Sequence, residues 1–269
     1  MFGKAFKVGK ILGFKIEISF TFLILLAFYM LAAGFVGGLV FTAMLFSSVL
    51  IHELGHSVVA RSLGVRILGI ELHFFGGAAK MASPPRTARD EIFIAIAGPA
   101  MSFVLGVASV LVYLATTWSP LRLLAGMNLV LGVFNLLPAL PMDGGRVLRA
   151  ALSKRMGRYR ATLVAARVAQ GIAVAGGVAA VVFGAYLAAG VAVLLWIMAA
   201  NERAMAAMWQ YQDEAQEPQV LDRDGRVISG PPGEAYPGVP LAAVGPDGPV
   251  RRVYRLPNGA VVVVEETRW

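Results

Sequence analysis

The sequence predicts an all-α polytopic membrane protein with about six transmembrane helices, a small membrane-associated β-hairpin and a short cytosolic tail of α/β or β structure. Three observations lead to this prediction. The first is composition, because 58% of the 269 residues are hydrophobic and the mean hydropathy is +0.70, which is too apolar for an ordinary soluble domain. The second is a series of long apolar runs, and the third is the placement of the basic residues.

The apolar runs are long enough to be membrane spans, since a helix needs about 20 apolar residues to cross a bilayer. They lie at residues 18–38, 40–61, 91–115, 123–142, 162–182 and 184–200. The last two form one Ala/Gly/Val-rich stretch, which is long enough for two spans with a tight turn near Gly184. No small-residue cleavage site follows the first run, so it predicts a retained span rather than a signal peptide.

The basic residues predict the orientation of these spans. Six spans with both termini in the cytoplasm place 23 of the 24 lysines and arginines inside and leave only Arg122 outside. This distribution satisfies the positive-inside rule and explains the net charge of +8. Because no basic stripe with interleaved aromatic residues accompanies that charge, the sequence predicts no nucleic-acid partner.

One segment between the second and third runs has the pattern of β-structure. Over residues 67–81 apolar and polar residues alternate, with Leu72 on one side and Glu71 on the other. A period of two followed by Gly76 and Gly77 predicts a β-hairpin that turns at the two glycines.

The C-terminal tail differs from the rest of the chain in composition. It is polar and rich in proline and glycine, and its last residues predict a second hairpin that turns at Asn258-Gly259. The sequence therefore predicts a six-span domain over residues 1–212 and a small cytosolic module over residues 213–269.

Two histidines and a glutamate interrupt the second span, in the sequence HELGH. Polar and charged side chains are costly in lipid and usually mark function there. Residues four apart share a helix face, so His52 and His56 can reach one zinc ion, and Glu53 beside them can take a proton from water. The other interpretation is a buried helix with two hydrogen-bonded histidines. Since the chain has no cysteine, a metal must be held by histidine and carboxylate.

A third metal ligand is predicted at Asp143, at the cytoplasmic end of the fourth span and so at the depth of the histidines. Pro138 and Pro141 cannot continue a regular helix, which predicts an extended segment enclosed by protein. A carboxylate held there suits a third zinc ligand and leaves the fourth position for water. The alternative is a helix-terminal loop in which Asp143 pairs with Arg146.

These motifs resemble those of the site-2 protease family of intramembrane zinc metalloproteases, most closely the branch that contains stage IV sporulation protein FB. The resemblance covers roughly residues 1–200. It depends on HELGH in the second span and NLLPALPMDGG in the fourth, which matches the family pattern N-x-x-P-x-x-P-x-D-G. It implies one zinc ion per chain, held by His52, His56 and Asp143, with Glu53 as the catalytic acid/base.

The resemblance also implies where a substrate is bound. The 67–81 hairpin is similar to the family's membrane re-entrant hairpin, whose edge would hold a peptide extended. The family often carries a G-P-x-x-N turn in its third span, and here a serine stands in place of that asparagine. The candidate substrate contacts are therefore Asn135, Leu72, Gly76, Gly77 and Ser102.

The function that the resemblance implies is hydrolysis of a peptide bond near the cytoplasmic face of the cell (inner) membrane. The implied substrate is a membrane-tethered protein such as a transcription-factor precursor or an anti-sigma factor. A membrane-bound regulator is a further partner that the resemblance allows. The competing interpretation is a zinc-binding membrane transport or scaffold protein without hydrolytic activity. Glu53 separates the two, because a pure binding site has no need of a base.

Overall fold

The computed structural model describes residues 5–73, 76–216, 219–221, 227–228, 250–255 and 261–266. The chain divides into two compact units, residues 1–204 and residues 205–269. The helices of the described chain are α1 (Phe20–Ser62), α2 (Ala88–Thr116), α3 (Ser119–Asn135), α4 (Asp143–Met156), α5 (Arg158–Val182) and α6 (Tyr186–Gln216). The strands are β1 (Ala5–Ile11), β2 (Phe14–Ser19), β3 (Ile67–His73), β4 (Gly76–Met81), β5 (Gln219–Leu221), β6 (Val227–Ile228), β7 (Val250–Arg255) and β8 (Val261–Glu266).

The helices confirm a mostly helical membrane architecture. Among the described residues, four helical segments are long and apolar enough to cross a membrane: Phe20–Ser62, Ala88–Thr116, Arg158–Val182 and Tyr186–Met208. The six predicted runs map onto five helices, because α1 contains the first two. Helix α3 has only 17 residues and ends at Asn135, since Pro138 prevents the predicted continuation to residue 142.

Helix α1 folds back on itself. Its 43 residues are interrupted at Gly34, whose φ of 75° is in the region that glycine enters without steric cost. The ring centroids of Phe22 and Phe46 lie 5.2 Å apart and those of Tyr29 and Phe41 lie 4.4 Å apart. Residues 24 positions apart would be separated by about 36 Å along a straight helix, so the two halves must run antiparallel. The reversal comes a few residues earlier than the sequence predicts.

A four-stranded sheet in the order β1-β2-β3-β4 lies beside α1. Strands β3 and β4 form the predicted hairpin. The predicted turn at the two glycines is wrong, because Gly76 pairs with His73 and Gly77 pairs with Leu72 inside the ladder. The connection at residues 74–75 lies outside the described residues.

The other half of the sheet has no counterpart in the sequence prediction. Strands β1 and β2 form an antiparallel pair, and β2 runs parallel to β3 with Ile16 opposite Ile70 and Ile18 opposite Leu72. The inner face packs against α1 through one buried apolar cluster: Phe14, Ile16, Leu50, Ile70 and Leu72.

Charged groups from three neighbouring strands, β2, β3 and β4, lie together on this sheet. The Lys80 ammonium lies 2.9 Å from the Glu17 carboxylate and 2.8 Å from the buried Glu71 carboxylate. The two carboxylates raise the pKa of Lys80 above its ordinary value. The ion pair with Lys80 explains why the charged side chain of Glu71 can be buried on β3.

The first-turn side chains of α2 fix its start. The Thr87 hydroxyl accepts a hydrogen bond from the Asp90 amide, and the Asp90 carboxylate accepts one from the Thr87 amide, each over 3.1 Å. From this start α2 packs against α1, α3 and α4. It is therefore the helix that brings the others together around the predicted site.

The described part of the second unit contains another four-stranded sheet, in the order β6-β5-β7-β8. Strands β7 and β8 pair antiparallel from Val250–Glu266 to Arg255–Val261, which confirms a hairpin in the tail. The predicted turn at Asn258-Gly259 lies outside the described residues.

Candidate metal centre

The structure brings together the three predicted metal ligands. His52 and His56 lie one turn apart on α1, and Asp143 is the first residue of α4. The Asp143 Oδ2 atom lies 3.1 Å from the Nε2 atom of each histidine, and the two Nε2 atoms are 3.2 Å apart. All three side chains are buried, and their ligand atoms lie within 4.8 Å of one another.

The donor chemistry of this cluster fits a cation. The Nδ1 atom of His56 donates to the Ile94 carbonyl over 2.6 Å, which leaves a lone pair on Nε2 of the neutral imidazole. That lone pair faces His52 Nε2 and a carboxylate oxygen, so electron-rich atoms converge on one point. Two imidazoles and one carboxylate with a free fourth position are typical of a catalytic zinc site. The geometry therefore fits zinc.

Helix α2 contacts the Nδ1 atom of both imidazoles, whereas Asp143 contacts their Nε2 atoms. The Ile94 carbonyl binds His56, and the Ser102 hydroxyl lies 2.9 Å from His52 Nδ1. Outer contacts of this kind fix the tautomer and the orientation of a metal-binding histidine. Between them, Gly98 approaches so closely that a Cβ atom there would lie 2.8 Å from His52 Nε2 and would also overlap the His56 ring.

Glu53 follows His52 on α1 but lies outside the three-ligand cluster. It is 9% exposed, and its side chain extends to strand β4. A Cβ atom on Gly77 would lie 3.1 Å from the Glu53 carboxyl carbon and in closer contact with Cγ. The carboxylate is thus held between the helix that carries the histidines and β4, one of the two edge strands of the sheet.

The remaining predicted residues are distributed around the cluster. Ser102 contacts His52, as described, whereas Asn135 donates to the Leu131 carbonyl of its own helix over 2.9 Å. Leu72 is buried on β3, a strand that is paired on both sides with β2 and β4. Leu72 therefore has no free backbone edge of its own, and its role as a substrate contact stays a prediction. The edge belongs to β4, which contains Gly76 and Gly77.

The alternative partner of Asp143 is also present. The Arg146 guanidinium lies 3.7 Å from Oδ1 of Asp143, while Oδ2 faces the histidines at 3.1 Å. The two carboxylate oxygens thus have different neighbours. A salt bridge to Arg146 therefore does not explain why the Oδ2 atom of Asp143 faces the two histidines.

Two features near the centre were not predicted. One is the close approach of Gly98, and the other is a buried ion pair between Glu91 of α2 and Arg149 of α4. In the sequence, Glu91 stands at the edge of a span, where an acidic residue is ordinary. No local pattern links it to an arginine 58 residues later.

Comparison with known proteins gives a consistent result. Residues 40–118 and 114–176 match the model of peptidase family M50. A zinc metalloprotease of Methanocaldococcus jannaschii is 40% identical over 176 residues, which are 62% of this chain and 51% of that protein. Stage IV sporulation protein FB of Bacillus subtilis is 33% identical over 111 residues, which are 40% of this chain and 38% of that protein. The chain thus spans about half the length, or less, of these two relatives.

A solved structure is also similar. The site-2 protease from Methanocaldococcus jannaschii matches with a TM-score of 0.60 and 34% sequence identity. The match covers 74% of this chain and 95% of that one.

Proposed function

Because the chain belongs to peptidase family M50, we propose that it is an intramembrane zinc metalloendopeptidase that hydrolyses a peptide bond of a membrane-associated protein near the cytoplasmic face. The observation that carries this proposal is the convergence of His52, His56 and Asp143 beside Glu53. The competing function, a zinc-binding transport or scaffold protein, would require the three ligands but not the glutamate.

The proposed mechanism assigns one role to each group. His52, His56 and Asp143 hold the zinc, one ion per chain. When bound, zinc supplies a Lewis acid that polarises a carbonyl oxygen and makes water more acidic. The Glu53 carboxylate accepts a proton from the attacking water and returns it to the leaving amide nitrogen. Ser102 and the Ile94 carbonyl keep the imidazoles oriented throughout.

The metal assignment predicts a zinc content that depends on Asp143. We expect purified wild-type protein to hold about one zinc ion per chain, as a three-ligand catalytic site does. Asp143→Ala removes one ligand and should weaken zinc binding by at least about 100-fold, measured by titration against a chelator. The matched control is Glu17→Gln, which neutralises a carboxylate on the sheet far along the chain from the ligands. Wild-type zinc affinity in Asp143→Ala would exclude Asp143 from the site.

We propose that strand β4 aligns the substrate, with Gly76 and Gly77 as contacts. Strand β4 lies at one end of the described sheet, and Gly77 touches Glu53, so an added strand would run beside the proposed base. Asn135, which lies at the end of α3, is a further proposed contact. Ser102 acts on His52 and only indirectly on the substrate.

The proposed edge can be tested with two neighbouring proline variants. Along a strand, successive amides point to opposite sides, so either Ala78→Pro or Ala79→Pro removes an amide that faces the free edge. We expect that variant to keep its zinc and to cleave about 100-fold more slowly, because a peptide misplaced by about 1 Å can lose that much rate. Wild-type cleavage by both folded variants would show that β4 is not the alignment edge.

The topology that we propose has six spans, with both termini in the cytoplasm of a cell (inner) membrane. It is supported by the 23-to-1 distribution of basic residues and by the reversal of α1 at Gly34. Reporter fusions after residues 85 and 212 should give a cytoplasmic signal, and a fusion near Ser119 should give an external one. An external signal after residue 212 would contradict this topology.

The substrate class and the domain division are proposals as well. A membrane-tethered transcription-factor precursor or an anti-sigma factor is the substrate that we propose, together with a membrane-bound regulator of cleavage. We assign catalysis to residues 1–212 and treat residues 213–269 as a cytosolic module. Quantitative proteomics of membranes that carry wild-type or Glu53→Gln protein tests the substrate class directly, because it identifies the uncut precursors.

A further inference from the structure

A buried ion pair joins two of the helices that build the metal centre. The Nε atom of Arg149 donates to Glu91 Oε1 over 3.0 Å, and the Nη2 atom of Arg149 contacts the same oxygen. Glu91 is 5% exposed and Arg149 is 8% exposed. Burial of two charges has a large desolvation cost, so an ion pair at this position is weak evidence of added stability.

The position of each partner suggests a role other than stability. Glu91 is in the first turn of α2, one turn before Ile94, whose carbonyl binds His56. Arg149 is on α4, less than two turns after Asp143. The pair therefore links the helix that orients both histidines to the helix that carries the third ligand.

Helix α4 is short and follows an irregular segment, so its position depends on contacts with its neighbours, among them α2 and α5. It has 14 residues, and the chain between α3 and α4 contains Pro138 and Pro141, so no continuous helix fixes its position. Asp143 is its first residue, so any slide or rotation of α4 moves the carboxylate relative to the imidazoles. Because the Nε and Nη2 atoms of Arg149 both contact one carboxylate oxygen of Glu91, this ion pair restrains both the slide and the rotation of α4.

We propose that Glu91 and Arg149 are a positioning pair, which sets the distance between the Asp143 carboxylate and the two imidazoles. The inference depends on the proposed zinc site and adds two residues that never touch the metal. A second, longer contact joins Arg149 Nη1 to Glu202 of α6 at 3.8 Å. The shorter contact to Glu91 carries the restraint, and Glu202 contributes less.

The test measures how fast purified, zinc-loaded protein in detergent releases its metal to a chelator. Glu91→Gln should release zinc about tenfold faster than wild type, which is the lower end of the effect on metal affinity when a direct partner of a ligand is lost. The single variant Arg149→Met leaves Glu91 as a buried charge without its partner. It is therefore measured beside the double variant Glu91→Gln/Arg149→Met, in which neither residue of the pair is charged. The double variant should also release zinc about tenfold faster. Cobalt-substituted samples should show altered visible spectra, which report ligand geometry.

The matched control is Arg203→Met. Arg203 also donates between two helices, to Gln170 of α5 over 3.1 Å, but this contact does not involve α2 or α4. Its zinc release and cobalt spectrum should equal those of wild type. Wild-type release and spectra in the Glu91→Gln and double variants would overturn the proposal, as would equal acceleration in Arg203→Met. If wild-type protein itself binds no zinc, the proposed metal centre fails instead, so the two failures are distinguishable.

Discussion

Glu53→Gln is expected to slow proteolysis by about 10²- to 10⁴-fold while leaving zinc in place. Glutamine has nearly the shape of glutamate, so it can occupy the space between α1 and Gly77, but it cannot accept a proton from water. General acid–base catalysis contributes about 10²- to 10⁴-fold, and the rate should fall by that factor. Metal binding should not change, because Glu53 is not among the three converging ligands.

The measurement is quantitative proteomics of membrane fractions from cells that carry either wild-type or Glu53→Gln protein. Uncut precursors should accumulate only in the variant. Zinc analysis of the purified variant provides the control, because Asp143→Ala should lose both metal and cleavage whereas Glu53→Gln should lose cleavage alone. A Glu53→Gln protein that cleaves at the wild-type rate would rule out the proposed base and favour a zinc-binding protein with another function.

Gly98→Ala is expected to have a comparably large effect on the metal. A Cβ atom there would lie 2.8 Å from His52 Nε2 and would overlap the His56 ring, so either α2 or both imidazoles must move. The zinc affinity should fall by about 100-fold, because orientation of the ligands is lost. Proteolysis should fall with it.

The control for this change is Gly126→Ala on α3, since a Cβ atom at Gly126 would meet nothing within 4 Å. Alanine favours a helix over glycine by about 1 kcal/mol, so the effect of helix propensity alone would be a modest stabilisation in both variants. Loss of zinc in Gly98→Ala but not in Gly126→Ala would therefore report the contact with the histidines. Equal zinc affinity in the two variants would show that the close approach is unimportant.

The residues that the sequence placed correctly are those whose geometry is local. His52 and His56 lie one turn apart because any helix puts residues four apart on one face, so the spacing in HELGH is enough. The alternation at residues 67–81 likewise predicted a hairpin, since a period of two is a property of the strand itself. Asp143 is the exception: the sequence predicts it at the same depth from a span that ends at residue 142, whereas α3 ends at Asn135, so span length alone does not account for its position beside the histidines.

The features that the sequence did not reveal depend on contacts between distant segments. Strands β1 and β2 carry lysines and precede a long apolar run, and the partner of β2 in the parallel pair lies about 50 residues later. The glycines 76 and 77 satisfied the pattern of a turn, yet Gly77 is needed where β4 meets Glu53. The need for glycine at position 98 likewise depends on the close approach of α2 to His52 and His56. No pattern in the neighbouring sequence indicates that approach.

The parallel pairing of β2 with β3 has a consequence for how often the chain passes through the bilayer. Strand β2 ends at Ser19, immediately before α1, and β3 begins at Ile67, shortly after α1 ends. Two strands of one sheet lie on the same side of a membrane, so the intervening polypeptide must make an even number of crossings. A single passage of α1 would separate the strands by the full hydrocarbon thickness of about 30 Å. The two arms of α1, which reverse at Gly34, meet this condition when they enter and leave the bilayer together, as in the six-span topology that we propose.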